Sequence, residues 1–467
     1  MGATRELVAY CHQMSFRDFP PEVVDMAKYL ALDLLGVTAR GSLVESTKAM
    51  YGFIHDMDLR PKGGVIIGTP MKAPYHYAAL ANGTSAHALE LDDVVNEASL
   101  HPGAVIFPAA IAACEMVDAD GKKLIEGAVL GYEVMIRLGR ALNPTAHYKQ
   151  GFHPTGTCGS FGAAVAAAKI LGLDEEGMLN AVGIAGSQAA GSMEFLAEGA
   201  WTKRMHPGWA AHNGIVAALL AKKGFKGPST ILEGRDGFLH AYSPMSDPRW
   251  VTEGLGDSFQ ILRTSIKPHA CCRYKQAPID GILSLMKQND LKAKDVERVT
   301  LGILKTAFPI IVEPKERKYN PKSVVDAQFS MPFGAAVSVL YGKAFLDQYT
   351  LENVLSREVR ELMDKVTCME DPDLDREFPK KWPASVRITV KGGREYSTRV
   401  DYPKGDPENP LSWEEIIEKF RNLTSPVFGA RRQKDIIDRT RSLEEERSIK
   451  SFSAILKTYG ASWQDRR

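Results

Sequence analysis

"TKRMHPGWAAHNGIVAALLAKKG" (residues 202–224) is the stretch on which the fold turns. Lys203, Arg204 and His206 fall within four residues, and the chain then runs into an Ala/Gly-rich segment that stops at Gly224. A helix that ends in glycine and is built from small residues can pack closely against its neighbours. No acid lies between Glu198 and Glu233. Solvated helix faces usually intersperse their cations with acids, so this stretch reads as a buried helix with nitrogen-bearing side chains at its mouth.

The same texture extends in both directions. "PPEVVDMAKYLALDLLGVTA" sets Val23, Val24, Met26, Ala27, Leu30 and Leu34 at helical spacing behind a Pro-Pro start. "KKLIEGAVLGYEVMIRLGRAL", "GSFGAAVAAAKILGL" and "EEGMLNAVGIAGSQAAG" continue the series. After about residue 265 the pattern changes. "VERVTLGIL", "ASVRITVKG" and "EYSTRVDY" alternate as strands do, between the helical segments "APIDGILSLMKQND", "DAQFSMPFGAAVSVLYG" and "LENVLSREVRELMDKV". From about residue 411 the chain is helical again, and its charged run at 430–450 reads as a solvated face. The expected architecture is mainly α. A large all-helical domain (1–265) is followed by an inserted, smaller α+β lid domain (266–405), and residues 406–467 return to the helical domain.

Bulk properties exclude several classes. Lys+Arg 58 against Asp+Glu 57 leave a formal charge of +1, so the chain has no global field for nucleic acid or anionic membrane. Six cysteines without a CxxC pair argue against zinc, an iron–sulfur cluster or a disulfide framework. "MGATREL" has neither a signal-peptide pattern nor the myristoylation serine or threonine, and "AVIFPAAIAA" (104–113) is too short to span a bilayer. A cytoplasmic location is the expectation. "GTCGSFG" (156–162) lacks the spacing of a dinucleotide loop, and no Walker loop, HExxH or GxSxG occurs.

Four islands of polar chemistry remain: "ELDDVVNEASLHPG" (90–103), "YKQGFHPTGTCG" (148–159), the 202–214 mouth and "IKPHACCRYK" (266–275). Singly, each has a bland reading as caps, surface charge or small buried thiols. Together, imidazoles and ammonium groups in apolar loops suit a small polycarboxylate, with cations to clamp its oxygens and a base for a carbon-bound proton.

"FHPTGTCGSFGAAVAAAKILGL", "TKRMHPGWAAHNG", "KPHACCRY…APIDG" and "YNPKSVVDAQFSMPFGAAVSVLYG" resemble the MmgE/PrpD family from about residue 5 to about 450. The family includes 2-methylcitrate dehydratase, cis-aconitate decarboxylase and iminodisuccinate epimerase. The resemblance implies a helical body, an α+β lid, a homodimer and cofactor-free chemistry. It implies catalytic roles for His101, His153, Lys203 and Lys267, the last at the lid hinge. It implies supporting or substrate-binding roles for Glu90, Asp93, His206, Cys272, Arg273 and Tyr319. Glu90 stands where an Asp is usual, and Cys272 holds the place of a decarboxylase histidine five residues after the hinge lysine. The acidic motif also lacks the extra histidine that precedes the decarboxylase's His-Pro. The implied activity is a hydro-lyase acting on a hydroxylated di- or tricarboxylate such as 2-methylcitrate. A decarboxylase, an epimerase and a non-catalytic carboxylate binder are the alternatives.

Overall fold

The computed structural model describes residues 2–58 and 63–458, so the end of the expected C-terminal return, 459–467, lies outside the described residues. The fold is mainly α with small sheets. Its hub is the helix Thr202–Lys222, which packs on Pro154–Ile170, Tyr75–Ala86, Glu175–Gly186 and Gly103–Val117. Small residues make this possible. Gly208 faces the backbone of Leu80, and Gly214 sits against Ala163. "GTCGSFG" lies inside the helix Pro154–Ile170, where Gly159 abuts Val105 and Ala210, so its glycines serve helix packing.

Local signals set the helix ends. Pro154 follows His153 at the first helical position, where its missing N–H costs nothing. Asp120 caps Gly121–Ala141 by accepting from the Lys123 amide at 2.8 Å. Ser412 and Glu415 form a capping box for Trp413–Thr424.

The later region contains a four-stranded sheet ordered Val366–Glu370, Val296–Ile303, Ala384–Val390, Glu395–Val400. Its first pair is parallel and the other two are antiparallel. Helices Gln276–Gln288 and Met331–Tyr341 pack against it. The helix expected across 351–366 differs from the structure. It breaks at Ser356, whose extended backbone caps a second helix, Arg357–Met363, and residues from Val366 form the strand at one edge of the sheet. The sequence pattern misses this strand because its residues are mostly exposed and do not alternate cleanly. The "DIIDRTRSLEEERSIKSFSAIL" helix is likewise split, into Ala430–Arg441 and Ile449–Ala454.

Where the chain passes between textures, the two crossings touch: the Ile266 amide donates to the Gly405 carbonyl at 2.9 Å. Just before this point, Thr264–Ser265 pairs antiparallel with Val94–Val95, which brings residue 267 beside the first acidic island. Trp413–Thr424 then lies on Pro21–Gly41, with Gly36 admitting Phe420 and Leu423.

A Cβ at Gly208 would stand 2.2 Å from the Leu80 carbonyl oxygen, a backbone atom that cannot move aside. Gly208→Ala is expected to destabilise the chain by about 1–3 kcal/mol, as overpacking does. Urea unfolding checks this, and a change below about 0.5 kcal/mol would mean that the helices are not so closely apposed.

Candidate active site

The acidic island follows the helix Tyr75–Ala86 and turns sharply at Glu90, whose φ of 54° is unusual for a residue with a side chain. Three buried ammonium groups hold this turn. Lys203, in the first turn of the hub helix, is hydrogen-bonded to the Glu90 carboxylate. Lys267 donates to the Glu90 carbonyl at 3.0 Å and lies 3.7 Å from Asp92. Lys419 donates to the Leu91 carbonyl at 3.0 Å and pairs with Asp33 at 2.6 Å. Burial alone would raise the Glu90 carboxyl, but Lys203, followed by His87 and Lys267, overrides burial and holds it at about 2. Asp92 also stays well below the carboxylate range despite burial, because His87, His101 and Lys267 surround it.

The imidazoles behave oppositely. Burial depresses His101 and His153 well below the usual histidine value, reinforced at His153 by His206 and Lys203 and at His101 by Lys267. Both are neutral in the free protein. His101 Nδ1 lies 2.7 Å from the Asp93 carbonyl oxygen, which can only accept, so Nδ1 carries the proton and Nε2 the lone pair. His153 and His206 face each other through their Nδ1 atoms at 3.0 Å, one donating and one accepting. Burial holds His206 down at about 4.

Glu90, His101, His153, Lys203, Cys272 and Arg273 line one small cavity, walled by the aromatic rings of Tyr148, Tyr274, Phe329 and Trp382. Lys203 lies 5.0 Å from the Phe329 ring centroid. Arg273 is fixed by Asp406 at 2.6 Å and Asn96 at 2.7 Å. Burial pushes the Cys272 thiol up, so it is a neutral wall group.

Four expected residues stand elsewhere. Lys267 and His206 lie behind the cavity wall, on Glu90 and His153 respectively. Asp93 turns its carboxylate to Tyr132 at 2.5 Å and the Gly103 amide at 2.9 Å and does not line the cavity. Burial raises its carboxyl to about 7. Tyr319 does not reach the cavity, because its hydroxyl is occupied by the Val366 carbonyl in the sheet region.

Sequence reasoning missed His87, Lys419 and Trp382. His87 Nδ1 bonds Asp92 at 2.7 Å, and its ring centroid lies 4.9 Å from that of His101. Among the described residues, His87, Asp92 and His101 are the one trio whose ligand atoms, within 4.8 Å of one another, could hold a metal. A dication there would stand beside the Lys267 ammonium, itself 3.7 Å from Asp92, which disfavours it.

A helical body that closes neutral imidazoles and an ammonium group around one cavity has the equipment of an acid–base enzyme. Comparison with known proteins names the group: the chain belongs to the MmgE/PrpD family, matching its N-terminal domain over residues 5–251 and its C-terminal domain over 269–445. It is 30% identical to the cis-aconitate decarboxylase-like protein oryM of Aspergillus oryzae, with 97% of each chain covered. It is also 30% identical to a cis-aconitate decarboxylase of Aspergillus terreus, covering 97% of this chain and 96% of the relative. To a 2-methylcitrate dehydratase of Salmonella typhimurium it is 24% identical, over 89% and 88% respectively. The protein is a lyase-type enzyme. Among the described residues no helix is long and apolar enough to cross a membrane.

A base acts only when unprotonated, and His101, with its Nε2 free, is shifted down. Activity should therefore survive acidification through pH 6.5, the ordinary histidine value, and be lost only lower. The kcat/KM profile reads this; an acid limb centred at or above pH 6.5 contradicts it.

Proposed function

We propose that the protein is a cofactor-independent hydro-lyase acting on a small hydroxylated di- or tricarboxylate such as 2-methylcitrate. The observation that carries this reading is the bare Nε2 of His101 in a cavity that also holds Lys203. An ammonium has three donors, so Lys203 can keep Glu90 and still take a substrate carboxylate. His101 Nε2 removes the proton alpha to that carboxylate. Asp92, 3.6 Å from His101 Nδ1, then stabilises the imidazolium. Charge builds on the substrate carboxylate beside Lys203, whose contact strengthens in the transition state. His153, protonated from solvent in the bound complex while its Nδ1 stays paired with His206, gives its Nε2 proton to the departing hydroxide, which leaves as water, and the His101 imidazolium returns the alpha proton to solvent. Lys267, Asp93 and Lys419 are positioning residues that hold the loop carrying Glu90 and His101.

A second reading is decarboxylation. The two Aspergillus relatives named as cis-aconitate decarboxylase or like it are more similar than the dehydratase. The same clamp would serve, with His153 protonating the carbon that loses carbon dioxide.

Self-association is also proposed: Trp201, Met205, Trp209 and Leu220 form an exposed stripe along the hub helix, as a homodimer surface would. A monomer mass by light scattering would overturn it.

NMR in D2O with 2-methylcitrate, citrate, cis-aconitate and iminodisuccinate tests the reaction. Elimination of water from a hydroxy acid is expected. Release of carbon dioxide from cis-aconitate, without elimination, transfers the site to the second reading. Exchange of the alpha proton alone indicates an epimerase. Binding with neither exchange nor product from any of the four would remove the lyase chemistry.

A further inference from the structure

The catalytic cavity has a volume of only about 60 Å³, room for a few waters. Beside it lies an open basin of about 990 Å³, at the upper end of the size of small-molecule sites. Two walls are shared. Ser99 lines both spaces, held at a φ of 50°, with its carbonyl accepting from the Tyr148 hydroxyl at 2.9 Å. On the other side, Phe378 and Lys380 face the basin while Trp382, two residues on, faces the catalytic cavity.

The basin is cationic in a chain of nearly zero net charge. Arg140 lies over the Trp250 ring at 4.1 Å from its centroid, and it shares the single Glu97 carboxylate with Arg263, at 3.2 and 2.7 Å. One carboxylate between two guanidiniums leaves one positive charge in excess. Asp247, also in the wall, is already neutralised by Arg249 at 2.7 Å. Lys149 and Lys380 are exposed and have no ion-pair partner among the described residues. Apolar walls at Trp250, Phe378 and Met245 concentrate the field of these cations within the basin.

We propose that the basin is an outer polycarboxylate-binding site, from which substrate crosses the Asn96–Leu100 loop into the catalytic cavity. This rests on the carboxylate reading of the active site. Both spaces then recognise one ligand class. The outer cations raise the local concentration of a polyanion, and the Ser99 and Phe378–Trp382 walls part to admit it. Glu97 and Ser99 belong to the same loop as His101, so a ligand drawing on Arg140 and Arg263 acts on the segment that must move.

The test is the double charge reversal Lys149→Glu/Lys380→Glu, made at two exposed positions and compared with wild type in the full chain. For the substrate found by NMR, KM is expected to rise about tenfold or more, with kcat within twofold and a flattened salt dependence of kcat/KM. Calorimetry with tricarballylate, a tricarboxylate with no hydroxyl to eliminate, gives a readout independent of turnover. Binding should persist in Lys203→Met/Glu90→Gln, which removes both charges of the buried pair and leaves neither unpaired, and be lost in the double reversal. If no acid turns over but this binding pattern holds, the reaction is misassigned and the outer site stands. If turnover is found but the double reversal matches wild type in KM, salt dependence and tricarballylate binding, the outer site is wrong and the reaction stands. Failure of wild type to bind tricarballylate at all also overturns it.

Discussion

The structure depends on three buried ammonium groups that converge on one four-residue turn, Glu90–Asp93. Lys203 takes the Glu90 carboxylate, Lys267 the Glu90 carbonyl and Lys419 the Leu91 carbonyl. A buried, unpaired charge costs several kcal/mol, so neither the turn nor any of the lysines is stable without the others. The lysines come from distant parts of the chain: the hub helix, the segment after the Thr264–Ser265 strand, and the helix Trp413–Thr424. One electrostatic requirement thereby ties three regions together at the turn whose last residue, Asp93, bonds His101.

The same charges set the chemistry. Lys203 holds Glu90 ionised and His87 with Lys267 does the same for Asp92, while burial holds His153 neutral and, against the pull of Asp92, His101 as well. A bound polyanion would reverse part of the shift on the imidazoles and make an imidazolium attainable when the reaction needs one. The hydrogen bond from His101 Nδ1 to the Asp93 carbonyl adds direction, because it leaves only Nε2 for the substrate. Asp93 thus acts through its backbone, and its carboxyl serves only to seat the loop on Tyr132 and Gly103.

Much of this was legible in the sequence, for physical reasons. The acid-free Ala/Gly composition of 202–224 announced a buried hub helix, and the imidazole and ammonium islands marked the cavity. Other parts were not legible. Lys419 sits in "SWEEIIEKFRNL", an amphipathic helix in which one lysine looks like any solvated charge until Asp33 is seen opposite it. His87 lies just outside the island that begins at Glu90, and nothing local distinguishes it. Tyr319 carried the right side chain near a family motif, but its hydroxyl was already committed to the sheet region. The strand Val366–Glu370 was hidden because its burial does not alternate.

Burial keeps the cavity imidazoles neutral, and the Asp93 carbonyl gives His101 a fixed tautomer. Nitrogen-15 NMR of the histidine rings, titrated from pH 8 to pH 5.5 on the full chain, measures both directly. His101 is expected to stay neutral through pH 6.5, with the proton on Nδ1 and a free Nε2, and His153 to stay neutral with it. An imidazolium signal for either ring at pH 6.5, or a proton on His101 Nε2 in the neutral form, would contradict this.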